Sequence, residues 1–310
     1  MSHQYAELLS PYEHKGILGA PELWDNEEEV RAKAKTIAEW IKTANCCMVY
    51  TGAGLSTAAG IPDFRGPNGI WTKEKRSKKA KKIEGNDEPK EDLRFEHARP
   101  TLSHHILIAL EKHNYVKYLL TQNVDGLHAR FGFPMDRLAE VHGNVFVERC
   151  DRCQKQVFRE TPLLSVGRRP TGRNCERSVV GRACRGKMCD FLLDWEDELP
   201  EPEFSTCNKF AAAADLSICL GTTLQIEPVG KMPLLAKKNG GKFVTVNLQK
   251  TKHENEADLA VHAKVDDVLW AIAKELGLSD DVQTEAPQPT VRWHSDCPPF
   301  KFPKRKKKQA

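Results

Sequence analysis

Apolar positions recur along the chain with two periods. Val30, Ala34, Ile37 and Ile41 fall at helical spacing. Glu27, Glu28 and Glu29 precede them, where a first turn favours negative charge. The pattern predicts a covering helix of about eighteen residues capped by Asp25. Continuous apolar runs at Cys46–Tyr50, Val116–Thr121, Asp215–Leu220 and Phe243–Val246 read as buried strands. A second helix starts at Pro100 and Thr101 and runs through Lys112, and Val265–Leu276 supplies a closing one. Strands alternating with helices predict an α/β fold with a doubly wound parallel sheet. Met1–Leu23, broken by Pro11, Gly16, Gly19 and Pro21, reads as an irregular N-terminal arm with no evident chemistry.

The strand ends carry the polar residues that matter. Cys46–Tyr50 runs into T-G-A-G-L-S-T-A-A-G-I-P-D-F-R-G, Thr51–Gly66. Small residues let backbone approach a pyrophosphate, and Ser56 and Thr57 are placed to start a helix whose N–H groups would face it. The stretch therefore predicts a nucleotide-binding strand–loop–helix. An ordinary dehydrogenase fits poorly: Thr57 stands where that fingerprint has a third Gly, and Asp63 comes too early to hold a ribose. Val116–Thr121 ends in Gln122-Asn123-Val124-Asp125-Gly126-Leu127-His128, at the strand end where open α/β sheets bind ligands. His128 is expected to hydrogen-bond within that loop. Gly221-Thr222-Thr223 and Asn247-Leu248-Gln249 end two further strands and are suited to gripping an adenosine ribose. Glu140-Val141-His142-Gly143-Asn144 sets an imidazole among small and polar neighbours, where it is either structural or a general base.

Charge adds appendages to this picture. The chain has 310 residues, 40% of them hydrophobic, and a net charge of +4. Lys301–Ala310 and Lys73–Lys82 each carry a net +6, which leaves the body near −8. The first run, Lys73–Lys82, is followed by an acidic stretch, Glu84–Asp92, and reads as a solvated loop, with nucleic-acid contact as the sharper alternative. The lack of aromatics between Trp71 and Phe95 argues against base stacking. No run approaches eighteen apolar residues, so no transmembrane helix or membrane partner is expected. Met1–Tyr12 has no apolar signal region, so secretion is not expected either. Of ten cysteines, Cys46, Cys47 and Cys219 lie in strand-like runs and read as core. Cys150-Asp151-Arg152-Cys153 is a CxxC knuckle. Cys175 follows it, then Cys184 and Cys189, and four thiolates in one small insert point to structural zinc. Spacing leaves Cys184 and Cys189 as alternative fourth ligands.

Over its sixteen residues Thr51–Gly66 resembles the signature of the sirtuins, NAD-dependent protein deacylases, and Thr121–His128 and Glu140–Asn144 match the same family. The phrases G-I-W-T, A-R-P-T, L-D-W-E-D-E-L-P, L-G-T-T-L-Q-I and V-N-L-Q are similar to the nuclear sirtuin-six branch. The resemblance implies a Rossmann-like NAD domain with an inserted small zinc module. In those terms 1–24 is the arm, 25–148 and 204–279 the two parts of the NAD domain, 149–203 the zinc module and 280–310 a disordered basic tail. R-A-C-R-G favours Cys184, which gives a zinc set of Cys150, Cys153, Cys175 and Cys184.

The implied reaction moves an acyl group from lysine to ADP-ribose and releases nicotinamide. The acyl oxygen attacks C1′ of the nicotinamide ribose, and His142 then takes a proton from a ribose hydroxyl. Asn123 and Asp125 are implied to orient ribose and carboxamide. Ala53, Thr57, Asp63, Phe64, Arg65 and Trp71 would line the NAD site, with Phe64 shielding C1′. Gln122, Gly221, Thr223, Asn247, Gln249 and Val265 would hold ribose and adenine. A substrate peptide would add as a strand near Trp195–Leu199. Histone tails, a chromatin contact, direct DNA contact and, through Lys304–Lys308, a nuclear location are the implied partners and place. Protein mono-ADP-ribosylation and a non-enzymatic chromatin-bound NAD sensor are the rival readings.

Overall fold

The computed structural model describes residues 2–80, 94–163, 165–179, 181–283 and 288–303. Lys81, Lys82, the acidic stretch Glu84–Asp92 and the basic residues from Lys304 onward lie outside the described residues. The helices are α1 (Ser2–Leu8), α2 (Glu27–Thr43), α3 (Ile70–Ala80), α4 (Leu102–Lys112), α5 (Leu127–Arg130), α6 (Glu203–Ala213), α7 (Leu234–Lys238) and α8 (Val265–Glu275). The main-sheet strands are β1 (Cys47–Thr51), β2 (Val116–Thr121) and β3 (Leu138–Glu140). An insert follows with β4 (Gly143–Cys150), β5 (Gln156–Phe158), β6 (Pro170–Asn174), β7 (Ser178–Val179), β8 (Arg182–Ala183) and β9 (Lys187–Leu192). The main sheet then resumes with β10 (Leu216–Leu220), β11 (Lys242–Val246) and β12 (Leu259–Val261).

The main sheet has the order β12-β11-β10-β1-β2-β3, and every pair is parallel. Parallel strands need crossovers, so helices cover both faces and the central strands are mostly apolar and buried. Side chains alternate along β1: Cys47 and Val49 join the core under α2, α4 and α8, whereas Met48 and Tyr50 join the one under α6 and α7. The chain leaves β1 toward β2 on one side and reaches β10 on the other. That reversal opens a crevice at the strand C-termini. The insert forms a separate antiparallel sheet, β5-β4-β9-β6, with a small β7-β8 hairpin.

Four local expectations are corrected. Asn26, and not Asp25, caps α2: its side chain accepts the Glu29 N–H while Glu29 accepts the Asn26 N–H, both at 2.9 Å. Asp25 stands one residue too early to reach that donor and pairs with Lys33 at 2.6 Å. Residues 73–80 continue a helix that starts at Ile70, because Ile70, Trp71 and Thr72 bury its first turn. His128 bonds across to β1, with Nε2 3.2 Å from Thr51 Oγ1. Residues 288–303, expected in a disordered tail, lie along the body, with Thr290 N–H donating to Arg130 O and Met135 N–H to Arg292 O.

Candidate active site and metal centre

The C-terminal ends of β1, β2, β10 and β11 open onto one cavity of about 250 Å³. Its floor is two loops pressed together. Gly54 N–H donates to Gly221 O at 2.8 Å, and a Cβ on Gly54 would stand 2.8 Å from Gly221 Cα. Small residues here serve a backbone-to-backbone contact as well as an open floor. The expected helix start at Ser56 and Thr57 is not an α-helix. The loop folds as two short 3₁₀ turns, Ala53–Leu55 and Thr57–Ala59, because it must bend back to bury Leu55 and Ser56.

The end of β2 forms a hydrogen-bonded relay. Asn123 Nδ2 donates to Gly52 O at 3.0 Å and to Ser56 Oγ at 3.2 Å. Ser56 Oγ donates to Asp125 Oδ2 at 2.7 Å, and Leu127 N–H donates to Asp125 Oδ1 at 2.9 Å. Burial pushes the Asp125 carboxyl upward, and those two donors oppose the rise. Gln122 Nε2 donates to Thr222 Oγ1 at 2.9 Å and ties β2 to β10.

His142 sits in the turn between β3 and β4, half-buried, on the cavity wall. Its Nδ1 lies 3.1 Å from the Gln122 carbonyl oxygen. A carbonyl only accepts, so Nδ1 carries the proton and Nε2 keeps its lone pair. Burial pushes the imidazole down to about 4, with the Arg65 charge adding and the Gln122 carbonyl opposing. The ring is therefore neutral at pH 7. Its backbone is also fixed: Leu193 N–H donates to His142 O at 3.2 Å. Gly143 has φ +93°, and a Cβ there would stand 1.8 Å from Phe191 O.

The rim is aromatic and cationic. Phe64 and Trp71 ring centroids are 4.7 Å apart, and the Arg65 guanidinium lies 4.7 Å over the Trp71 ring. Arg65 Nε donates to Lys15 O at 2.8 Å, and burial lowers its pKa to about 10. Asp63 accepts the Gly66 N–H at 2.9 Å within its own loop. Asn247 Nδ2 donates to Gln249 O, and Gln249 Nε2 to Ala20 O, both at 2.7 Å. Of the residues singled out from sequence, Ala53, Asp63, Phe64, Arg65, Trp71, Gln122, Asn123, Asp125, His142, Gly221, Thr223, Asn247 and Gln249 line the cavity. Thr57 and Val265 do not. Thr57 is exposed and donates to Gly54 O, and Val265 is buried as the first residue of α8.

The N-terminal arm, to which sequence assigned no chemistry, roofs the site. Tyr5 and Leu9 line the cavity, Ser10 N–H donates to Asp194 Oδ1 at 3.0 Å, and Tyr12 stacks on Trp195 at 4.4 Å. The stretch around Tyr5 and Leu9, Y-A-E-L-L, carries no local signal of what it covers. With Ile61, Pro62, Phe95 and Leu193 these residues make an apolar wall that the polar motifs did not announce.

The insert brings Cys150, Cys153, Cys175 and Cys184 together, with all four sulfurs within 4.8 Å of one another. Cys150 and Cys184 sulfurs are 3.7 Å apart, and Cys153 and Cys175 sulfurs 3.6 Å. A tetrahedron with zinc–sulfur bonds of about 2.3 Å has edges of about 3.8 Å, so the cage fits a structural zinc. Gly186 completes it: a Cβ there would stand 2.4 Å from Cys150 Sγ. Cys189 lies on β9, opposite Arg149 and Pro170, outside the group.

The Sir2 family model matches residues 52–228, which spans the floor, the relay, His142 and the cysteine cage. The chain belongs to the Sir2 family. Among sirtuin relatives, "NAD-dependent protein deacetylase Sirt6" of Drosophila melanogaster is 44% identical, covering 94% of this chain and 90% of its own. "NAD-dependent protein deacetylase sir-2.4" of Caenorhabditis elegans is 41% identical, covering 93% and 99%. Among solved structures, a Sir2–p53 peptide–NAD+ complex aligns with TM-score 0.58 and 27% identity, covering 80% of this chain and all of that one. Both sirtuin landmarks, the parallel sheet and the cysteine cage, are present here.

Proposed function

We propose that this sirtuin is an NAD-dependent protein-lysine deacylase that removes acetyl and longer acyl groups and releases nicotinamide and acyl-ADP-ribose. One observation carries the reading: a neutral imidazole, its tautomer fixed by the Gln122 carbonyl, presents a free Nε2 to a cavity that also holds Asn123 and Asp125. NAD supplies an electrophilic ribose C1′ whose leaving group is nicotinamide. The donor set suits it. Asn123 and Asp125 orient ribose and carboxamide. Gln122, Gly221, Thr223, Asn247 and Gln249 hold the adenosine side, and Arg65 offers positive charge to the pyrophosphate. Phe64 shields the reacting carbon from water, and Trp71 backs it. The acyl oxygen would displace nicotinamide at C1′; His142 Nε2 would then take a ribose hydroxyl proton so that this oxygen attacks the acyl carbon, and water would add at that carbon as the lysine amine leaves. The apolar wall of Tyr5, Leu9, Ile61 and Phe95 gives an acyl chain somewhere to lie.

Zinc, held by the four cysteines, does no chemistry in this scheme; it fixes the insert that carries β4 and β9. Acylated histone tails in a nucleosome are the proposed substrates. The nuclear location rests on Lys304–Lys308, and DNA contact on exposed Lys73, Lys75 and Arg76 of α3. The test is single-turnover kinetics of His142→Ala with acyl-peptide and NAD, following nicotinamide and lysine separately. The variant should stay folded, keep zinc and bind NAD, and lose deacylation by at least about 10²-fold. Wild-type deacylation by His142→Ala would sink the assignment. ADP-ribose found on a protein side chain in place of acyl-ADP-ribose would move it to ADP-ribosyl transfer.

A further inference from the structure

The turn that carries His142 is closed by a bond between its two ends. β3 ends at Glu140, in register with Thr121 of β2. Asn144, near the start of β4, donates from Nδ2 to Glu140 Oε1 at 2.7 Å. His142 is the midpoint of the loop so closed. Both ends are shut away from water, with Asn144 0% and Glu140 4% exposed. Asn144 Oδ1 accepts the Phe146 N–H at 2.9 Å and stands 2.7 Å from where a Cβ on Gly126 would be. The same amide therefore also abuts the loop that holds Asp125.

A carboxylate is hard to keep in that place. Among the described residues no cation stands within ion-pair distance of Glu140. The charged groups acting on it are Asp125, from the β2 loop, and Glu203, from α6 packed on β3, and both are acidic. Asp125 has two hydrogen-bond donors, Ser56 Oγ and Leu127 N–H, and feels the charge of Arg130. Two neighbouring carboxyls with unequal donor sets divide the burden: the better-served one keeps the charge and the other keeps the proton. Burial pushes Glu140 up to about 8; the Asn144 donor opposes the rise, and the two acidic neighbours add to it.

We propose that Glu140 is a positioning residue carried as a neutral carboxylic acid, which staples the 140–144 turn through Asn144 and so fixes the His142 imidazole against the Gln122 carbonyl. Oε1 accepts from Asn144, so the acid proton sits on Oε2. The proposal rests on the reading of His142 as the general base, and the test separates the two. Full-length, zinc-loaded wild type is compared with Glu140→Gln and Glu140→Ala. The first measurement needs no turnover. An infrared difference spectrum of wild type against Glu140→Gln should show the C=O stretch of a protonated carboxyl at pH 7, shifted in D2O and fading as pH rises past about 8.

The second measurement is single-turnover deacylation. Glu140→Gln should stay within about threefold of wild type, whereas Glu140→Ala should lose about ten- to a hundredfold through a misplaced base, with NAD affinity kept. Absence of the protonated-carboxyl band, or a loss in Glu140→Gln as large as in Glu140→Ala, overturns the proposal. Glu140→Gln is isosteric, so the comparison with wild type stands if Glu140→Ala does not fold. Failure of the base assignment has a different signature: the band is present, yet His142→Ala deacylates normally.

Discussion

At the scale of single residues, the site depends on which nitrogen of His142 carries a proton. The Gln122 carbonyl settles that by geometry, and burial sets the charge. The sign of the pH dependence follows. The base must be neutral, so activity falls as pH drops through the folded-state pKa. That value lies at about 4, below the ordinary imidazole value of 6.5. The acid limb of kcat/KM in the free enzyme should therefore lie well below pH 6.5. Arg65→Met, by removing a charge that disfavours imidazolium, should move it upward. An acid limb at or above 6.5 in wild type would mean another group controls the rate. Asn123 was legible because it directly follows a parallel strand, where open α/β sheets bind ligands, and His142 because the phrase around it resembles the sirtuin signature. Tyr5 and Leu9 were not, because nothing in an isolated arm says what it will cover.

At the scale of elements, the insert is held by its cysteines more than by its apolar core. Its own buried cluster is little more than Cys150, Cys175 and Met188. A module with so small a core needs the metal, which contributes on the order of 10–16 kcal/mol in small zinc domains. Cys184→Ala should therefore lose stoichiometric zinc and melt earlier, and Cys189→Ala should keep both, as read by metal analysis and thermal melts. Full zinc in Cys184→Ala would show that another thiol serves. Spacing could not choose between Cys184 and Cys189, because the choice depends on how the β7-β8 hairpin turns the chain. The α2 start was misread by one residue for a related reason. Asp25 and Asn26 are both good caps, and only the backbone shows which side chain meets the Glu29 N–H.

At the scale of the whole molecule, residues 288–303 act as a strap. Arg292 pairs with Glu111, which is 1% exposed on α4, and Ser295 bonds the same carboxylate. Arg137 donates to Pro298 O at 2.7 Å, Trp293 packs edge-on to Phe158 of the insert, and Phe302 packs on Phe210 of α6 at 4.9 Å. Ending the chain at residue 283 takes Arg292 and Ser295 away from Glu111 and removes the contacts of Trp293 and Phe302 with the body. The truncated protein should melt well below the full chain, and Glu111→Gln in that background should recover part of the difference. A truncated protein with an unchanged melting temperature would show that the strap holds nothing.

Periodicity by itself determined the alternation of strands and helices, and hence a parallel sheet, because burying both faces of parallel strands leaves few other arrangements. It also determined where ligands bind, since polar residues cluster at the strand ends that a crossover topology brings to one side. Tertiary structure alone decided the roof over the cavity, the tautomer of His142 and the course of the strap. Each depends on a contact between residues far apart in the chain. Such contacts leave no local trace, because the same side chains would read as loop, core or tail until a partner meets them.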